Sequence, residues 1–365
     1  SGLLRRRPPG RLDASAMRCE DRVRDAWWCS LSEFYSTGWS MSEPITAQQF
    51  WIRSPGHGEI VRAALASPQP DEVRVAACYS GISRGTETLV FQGKVPSSQY
   101  QTMRAPFQEG EFPGPLKYGY ASVGVVDAGP KEWKGRSVFC LFPHQDRYCV
   151  PSAAVVPLPT DVPPERAVLA ANMETAVNVV WDASPAVGDR IVVIGGGVVG
   201  LLVAWLCNRI AGVDLVLVDI NPDRAAVAAG LGVAFSEDPP VGVDADLVVH
   251  ASGDPDGLVA ALDVAGTEGT IVEASWYGSC PVPLPLGEAF HARRLTLRSS
   301  QVGRIPPSRA ARWNLTRRLT LALGFLRDPC LDLLITGESR FDELPAVMSA
   351  LSREPGNTLC HRIRY

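Results

Sequence analysis

The chain is poor in the features that mark metal proteins, membrane proteins and nucleic-acid binders. Five histidines are few for 365 residues. The cysteines stand at 19, 29, 78, 140, 149, 207, 280, 330 and 360 and never form a CxxC pair. An odd number of thiols without a regular frame argues against a disulfide scaffold and fits a reducing, cytoplasmic setting. No apolar run approaches the roughly 20 residues of a membrane-spanning helix, so no membrane partner is expected. The net charge of −4 offers no broad basic surface, so no nucleic-acid partner is expected either. Internal repeats and low-complexity tracts are absent from the sequence.

What is present divides into three textures. Residues 1–42 are rich in Arg and lack a steady period, and they read as an extension outside the fold. From 45 to about 160, short β-prone runs such as EVRVAACYSGI and GYASVGVVDAG alternate with Gly and Pro turns, the pattern of a compact β-rich domain. From about 190, strand and helix signals alternate strictly: IVVIG, VVGLLVAWLCNRI, VDLVLVD, DRAAVAAGLG, DADLVVHAS, GLVAALDVA and GTIVEAS. That succession predicts an α/β class with a doubly wound parallel sheet. RWNLTRRLTLALGFLRDP predicts a helix, and LCHRIRY a last strand that returns to the first domain.

One motif in the second texture carries chemistry. Gly195, Gly196, Gly197, Val198, Val199 and Gly200 fulfil GxGxxG directly after a strand and before a helix. The first glycine permits the turn, the second admits a pyrophosphate close to the backbone, and the third allows helix and strand to touch. Asp219 ends the next apolar run, and a carboxylate about 20 residues past the motif suits both ribose hydroxyls. It favours NAD, because its charge repels a 2′-phosphate. Arg224 is a cation five residues further on that keeps NADP open as the less favoured cofactor.

Four stretches together resemble a known family. YSGISRGTETL (79–89), KYGYASVG (117–124), AANMETA (170–176) and IVVIGGGVVG (191–200) are similar to the frame of the medium-chain dehydrogenases/reductases. The nearest branch is that of bacteriochlorophyllide hydroxyethyl dehydrogenase and threonine-dehydrogenase-like proteins. The resemblance implies a GroES-like β-rich catalytic domain over 43–172, a Rossmann domain over 173–301, a return to the first domain over 302–365, and a homodimer. It implies that Arg84 reaches the cofactor pyrophosphate and that Thr175 lies against the nicotinamide. Ser252 and Gly253 would approach the ribose, and Gln301, Trp276 and Tyr277 the carboxamide end. Family members carry zinc ligands where this chain has Ser83, Tyr120 and Ala171, and residues 79–139 hold no cysteine for a structural zinc lobe. Neither zinc is expected.

Without a metal, moving a hydride to or from an alcohol carbon needs a positioned acid or base. The candidates are Glu174, on the helix entering the cofactor domain; Tyr120; Lys117, which would lower the Tyr120 pKa if the side chains meet; and Glu87 and His144, read as loop residues. Three readings follow. The first is a zinc-independent, NAD-dependent oxidoreductase for a small secondary alcohol or its ketone. The second is an NADPH-dependent quinone or enoyl reductase, and the third a dinucleotide-binding protein without catalysis.

Overall fold

A computed structural model describes residues 45–365. The expected extension over 1–42 lies outside the described residues, and so do Cys19 and Cys29.

The alternating half of the chain folds as its pattern requires. Six parallel strands follow the order Ala234–Ser236, Asp214–Val218, Arg190–Ile194, Ala245–His250, Ala265–Glu273 and Thr296–Ser299. Ile191 to Ile194 are all buried, because helices cover both faces of the sheet. The order reverses between Arg190–Ile194 and Ala245–His250. Chain connections leave to opposite sides there and open a crevice at the carboxyl ends of the strands.

The β-rich half holds two sheets. A seven-stranded sheet contains Glu72–Ser83 at its middle, paired with Ser122–Ala128, Arg147–Pro151 and the last strand, Cys360–Arg364. A four-stranded sheet is built on the hairpin of Ile45–Ser54 and His57–Leu65. The C-terminal strand thus returns to the first domain, as its sequence implies. Helix Leu315–Phe325 packs Leu319 and Leu323 into the core that also contains Leu201, Val203 and Val249 of the cofactor half. Helix Ala170–Ala183 runs across the expected boundary at 172 and joins the same core. The two halves therefore share one continuous apolar junction. The seven described cysteines are all free, and burial pushes the Cys140 and Cys207 thiols up to about 12.

Candidate active site

The glycine turn has the geometry that its spacing implies. Gly195 has φ +108°, and a Cβ there would lie 2.4 Å from the Ser252 nitrogen. A Cβ on Gly200 would lie 1.9 Å from the Gly195 carbonyl oxygen. Only glycine lets Val198–Cys207 start this close to the strand end. A Cβ on Gly197 would instead meet nothing within 4 Å. That open space, beside the amides of Val198 and Val199 in the first turn, suits a pyrophosphate.

Asp219 and two guanidiniums frame the next part of the crevice. Asp219 Oδ2 accepts from the Gly196 amide at 2.5 Å, and Oδ1 from the Asn221 amide at 2.8 Å. Arg224 is buried and donates to the Asn357 carbonyl at 2.8 Å. Arg84 donates to the neighbouring Thr358 carbonyl at 3.1 Å. Burial pulls the Arg84 pKa down, the Arg224 charge adds to that, and Asp219 opposes both. Two cations and one carboxylate from both halves of the chain thus meet beside the glycine turn. Asn357 was not foreseen; it also hydrogen-bonds Asn221 and Asp223, fastening its loop to the cofactor half.

At the switch point Ser252 and Gly253 follow the strand Ala245–His250. His250 is fully buried. Its Nδ1 lies 2.7 Å from Glu273 Oε2 and its Nε2 2.6 Å from Ser252 Oγ. Glu273 also accepts from the Ser275 amide at 2.6 Å and the Tyr277 hydroxyl at 2.9 Å. Tyr277 is thereby tied to this cluster, while Trp276 packs against the core of the β-rich half. Gln301 folds back, its Oε1 accepting from the Gly303 amide at 2.7 Å. Thr175 donates to the Ala171 carbonyl at 3.0 Å within its own helix.

The acid–base candidates separate. Glu87 is not a loop residue: Arg84–Phe91 is a helix, and its first turn carries Glu87 inward to 2 % exposure. Glu87 Oε1 accepts from the Ser83 amide at 2.8 Å, and Oε2 lies 2.8 Å from Nε2 of the buried His144. Ser83 and Thr86 are close enough to the Tyr120 phenol to act on its ionisation. Burial, reinforced by the nearby Glu87 charge, pushes its pKa up, so Tyr120 stays a protonated donor.

Glu174 and Lys117 have their hydrogen-bond partners outside the Glu87–His144 pair. Glu174 Oε1 lies 3.1 Å from Arg318 Nε; Arg318 also donates to Asn178 and, at 2.5 Å, to the Val302 carbonyl. A carboxylate held by a buried guanidinium joins two helices and anchors the 301–303 turn. Burial raises the Glu174 pKa and Arg318 opposes that rise. Lys117 Nζ donates to Glu109 at 2.5 Å and Gln145 at 2.7 Å and lies over the Phe142 ring. No hydrogen bond joins it to Tyr120 among the described residues. Burial lowers the Lys117 pKa, against the pull of Glu109.

Comparison with known proteins places this frame. No family model matches the chain. It is 31 % identical over 247 residues to the 2-desacetyl-2-hydroxyethyl bacteriochlorophyllide A dehydrogenase of Rhodobacter capsulatus, covering 62 % of this chain and 73 % of that one. The chain belongs to the medium-chain dehydrogenase/reductase superfamily. The L-threonine 3-dehydrogenase of Rhizobium rhizogenes is 32 % identical over 118 residues, 32 % of this chain and only 34 % of that enzyme's length. An alcohol dehydrogenase of Escherichia coli in complex with NADH shares the fold, with a TM-score of 0.69 at 17 % identity over 88 % of this chain and 99 % of that one. As a medium-chain dehydrogenase/reductase, this chain invites a test for zinc. Ser83 and Tyr120 offer hydroxyls and Ala171 a methyl group, while zinc takes Cys, His or carboxylate donors. The phenol is held in its protonated form, and both Glu87 oxygens are engaged by His144 and the Ser83 amide. The donor set does not fit a catalytic zinc.

Proposed function

We propose that this protein is an oxidoreductase that moves a hydride between a small secondary alcohol, or its ketone, and NAD without zinc. The observation that supports this reading is the buried Glu87–His144 contact at 2.8 Å, with the Tyr120 phenol near the Glu87 charge. A bound nicotinamide would accept or supply the hydride. The residues of the chain handle the remaining tasks. The amides of the glycine turn and Arg84 would hold the pyrophosphate, and Asp219 the adenosine ribose. Tyr120 would donate a hydrogen bond to the substrate oxygen, stabilising the charge that develops there. Glu87, backed by His144, would exchange the proton.

Asp219 supports NAD over NADP, because a carboxylate beside the glycine turn would repel a 2′-phosphate, and Arg224 donates to the Asn357 carbonyl. The strand Thr296–Ser299 is the outer strand of the six-stranded sheet, and we propose that edge as the homodimer contact. Among the described residues no helix is long and apolar enough to cross a membrane.

The test is NADH formation from NAD with a panel of secondary alcohols and polyols, for the native protein and Tyr120→Phe. Turnover that falls about 10²-fold in the variant, with NADH affinity retained, is the expected result. Equal turnover in both would remove Tyr120 from the chemistry. Preference for NADPH with an enone or quinone would overturn the reading in favour of a reductase.

A further inference from the structure

The Glu87–His144 pair does not end at His144. His144 Nδ1 lies 2.7 Å from Ser80 Oγ, and Ser80 Oγ lies 2.9 Å from the Tyr365 hydroxyl. Glu87, His144 and Ser80 are each at most 2 % exposed. Tyr365, whose ring stacks on Phe341, lines a separate pocket of about 550 Å³ with Gln48, Arg62, Asp146 and Arg364. Four side chains from three parts of the sequence thus form an unbroken hydrogen-bonded line. It joins the candidate catalytic cluster to that pocket.

We propose that Glu87, His144, Ser80 and Tyr365 form a proton relay that connects the candidate catalytic cluster with the Tyr365 pocket. The relay rests on the hydride-transfer reading above and extends it to two residues that need not touch substrate. Oxidising a secondary alcohol to a ketone releases a hydride and a proton, and the hydride leaves on NAD. The proton needs an exit when a cofactor and a substrate fill the cleft. Glu87 takes it as a carboxylic acid. The Glu87 O–H bond then breaks as His144 gains a proton on Nε2 and gives up the one on Nδ1 to Ser80 Oγ. Ser80 passes its own proton to the Tyr365 oxygen, and Tyr365 releases its proton into the pocket beside Asp146. Afterwards every donor in the line points toward an ionised Glu87, which is the arrangement that returns a proton during ketone reduction. Charge and protons balance in both directions, and no group gains or loses an electron. In this account Ser80 and Tyr365 are positioning and relay residues.

The experiment compares native protein with Ser80→Ala and Tyr365→Phe. NADH formation is followed with NAD and the same alcohol panel, 2-butanol, 2,3-butanediol and sorbitol included, in dilute buffer and then with added imidazole. Tyr365→Phe keeps the ring stack on Phe341, so it removes one link without emptying the core. The expected result is a kcat lowered by about 10²-fold in each variant, with KM and NADH affinity unchanged. Imidazole should restore kcat in the variants and leave the native rate alone. A structural defect would not respond to buffer in that way. Native turnover with equal kcat in both variants, or a loss that imidazole leaves untouched, overturns the relay while the hydride reading stands. Tight NADH binding without native turnover of any alcohol overturns the hydride reading and the relay with it.

Discussion

The same three side-chain types, carboxylate, imidazole and serine hydroxyl, are strung together twice in this protein. In the β-rich half they are Glu87, His144 and Ser80, with contacts of 2.8 and 2.7 Å. In the cofactor half they are Glu273, His250 and Ser252, with contacts of 2.7 and 2.6 Å. The difference is in what the serine meets next. Ser80 is buried and hands on to Tyr365. Ser252 is exposed at the switch point and accepts from the Asp254 amide at 3.1 Å. The same three groups thus continue into a buried tyrosine hydroxyl in one place and end at an exposed serine in the other. The surroundings decide the role, not the residue types.

The largest effect should come from breaking the first string at its carboxylate. Glu87→Gln keeps the shape and the Ser83 contact but cannot take a proton. We expect kcat to fall about 10²- to 10⁴-fold, with NADH affinity retained, as read by steady-state kinetics and fluorescence titration. Next in size is the second buried carboxylate among the described residues, Glu174, which serves as a control. Arg318→Ala leaves it buried without its cation, and stability should fall by about 3–5 kcal/mol, measured by denaturant unfolding. A paired Glu174→Leu and Arg318→Met change should recover much of that loss, which a catalytic role for Glu174 would not predict.

The smallest effect belongs to the second string. Ser252→Ala removes one hydroxyl from the cofactor side, and NADH affinity should weaken by about 1 kcal/mol, or roughly five-fold. Its effect on kcat should be minor. If Ser252→Ala lowered kcat as much as Glu87→Gln, the distinction between the two strings would fail.

The cofactor end was legible in the sequence because its signal is local. A glycine turn and the carboxylate after the next strand are fixed by backbone geometry, so Gly195, Gly200 and Asp219 meet as their spacing implies. The acid–base end depends on tertiary contacts between distant segments. Glu174 stands out as a lone charge in an apolar helix, but its partner lies 144 residues away on another helix. Lys117 is close to Tyr120 in sequence, yet its hydrogen bonds go to Glu109 and Gln145. Ser80 and Tyr365 are separated by 285 residues and become neighbours only when the last strand pairs with Glu72–Ser83. The helix after Ser83 was missed because RGTETLVF is short and carries Gly85 and Thr86 in its first turn, which cost backbone entropy and χ1 freedom in a helix. That missed helix is what turns Glu87 into the core.

Hydride transfer without a metal is the centre of this account. The most direct test is metal analysis of the purified protein combined with titration by NADH and NADPH. The account predicts no stoichiometric zinc and tighter binding of NADH than of NADPH. One zinc per chain, or no binding of either dinucleotide, would contradict it.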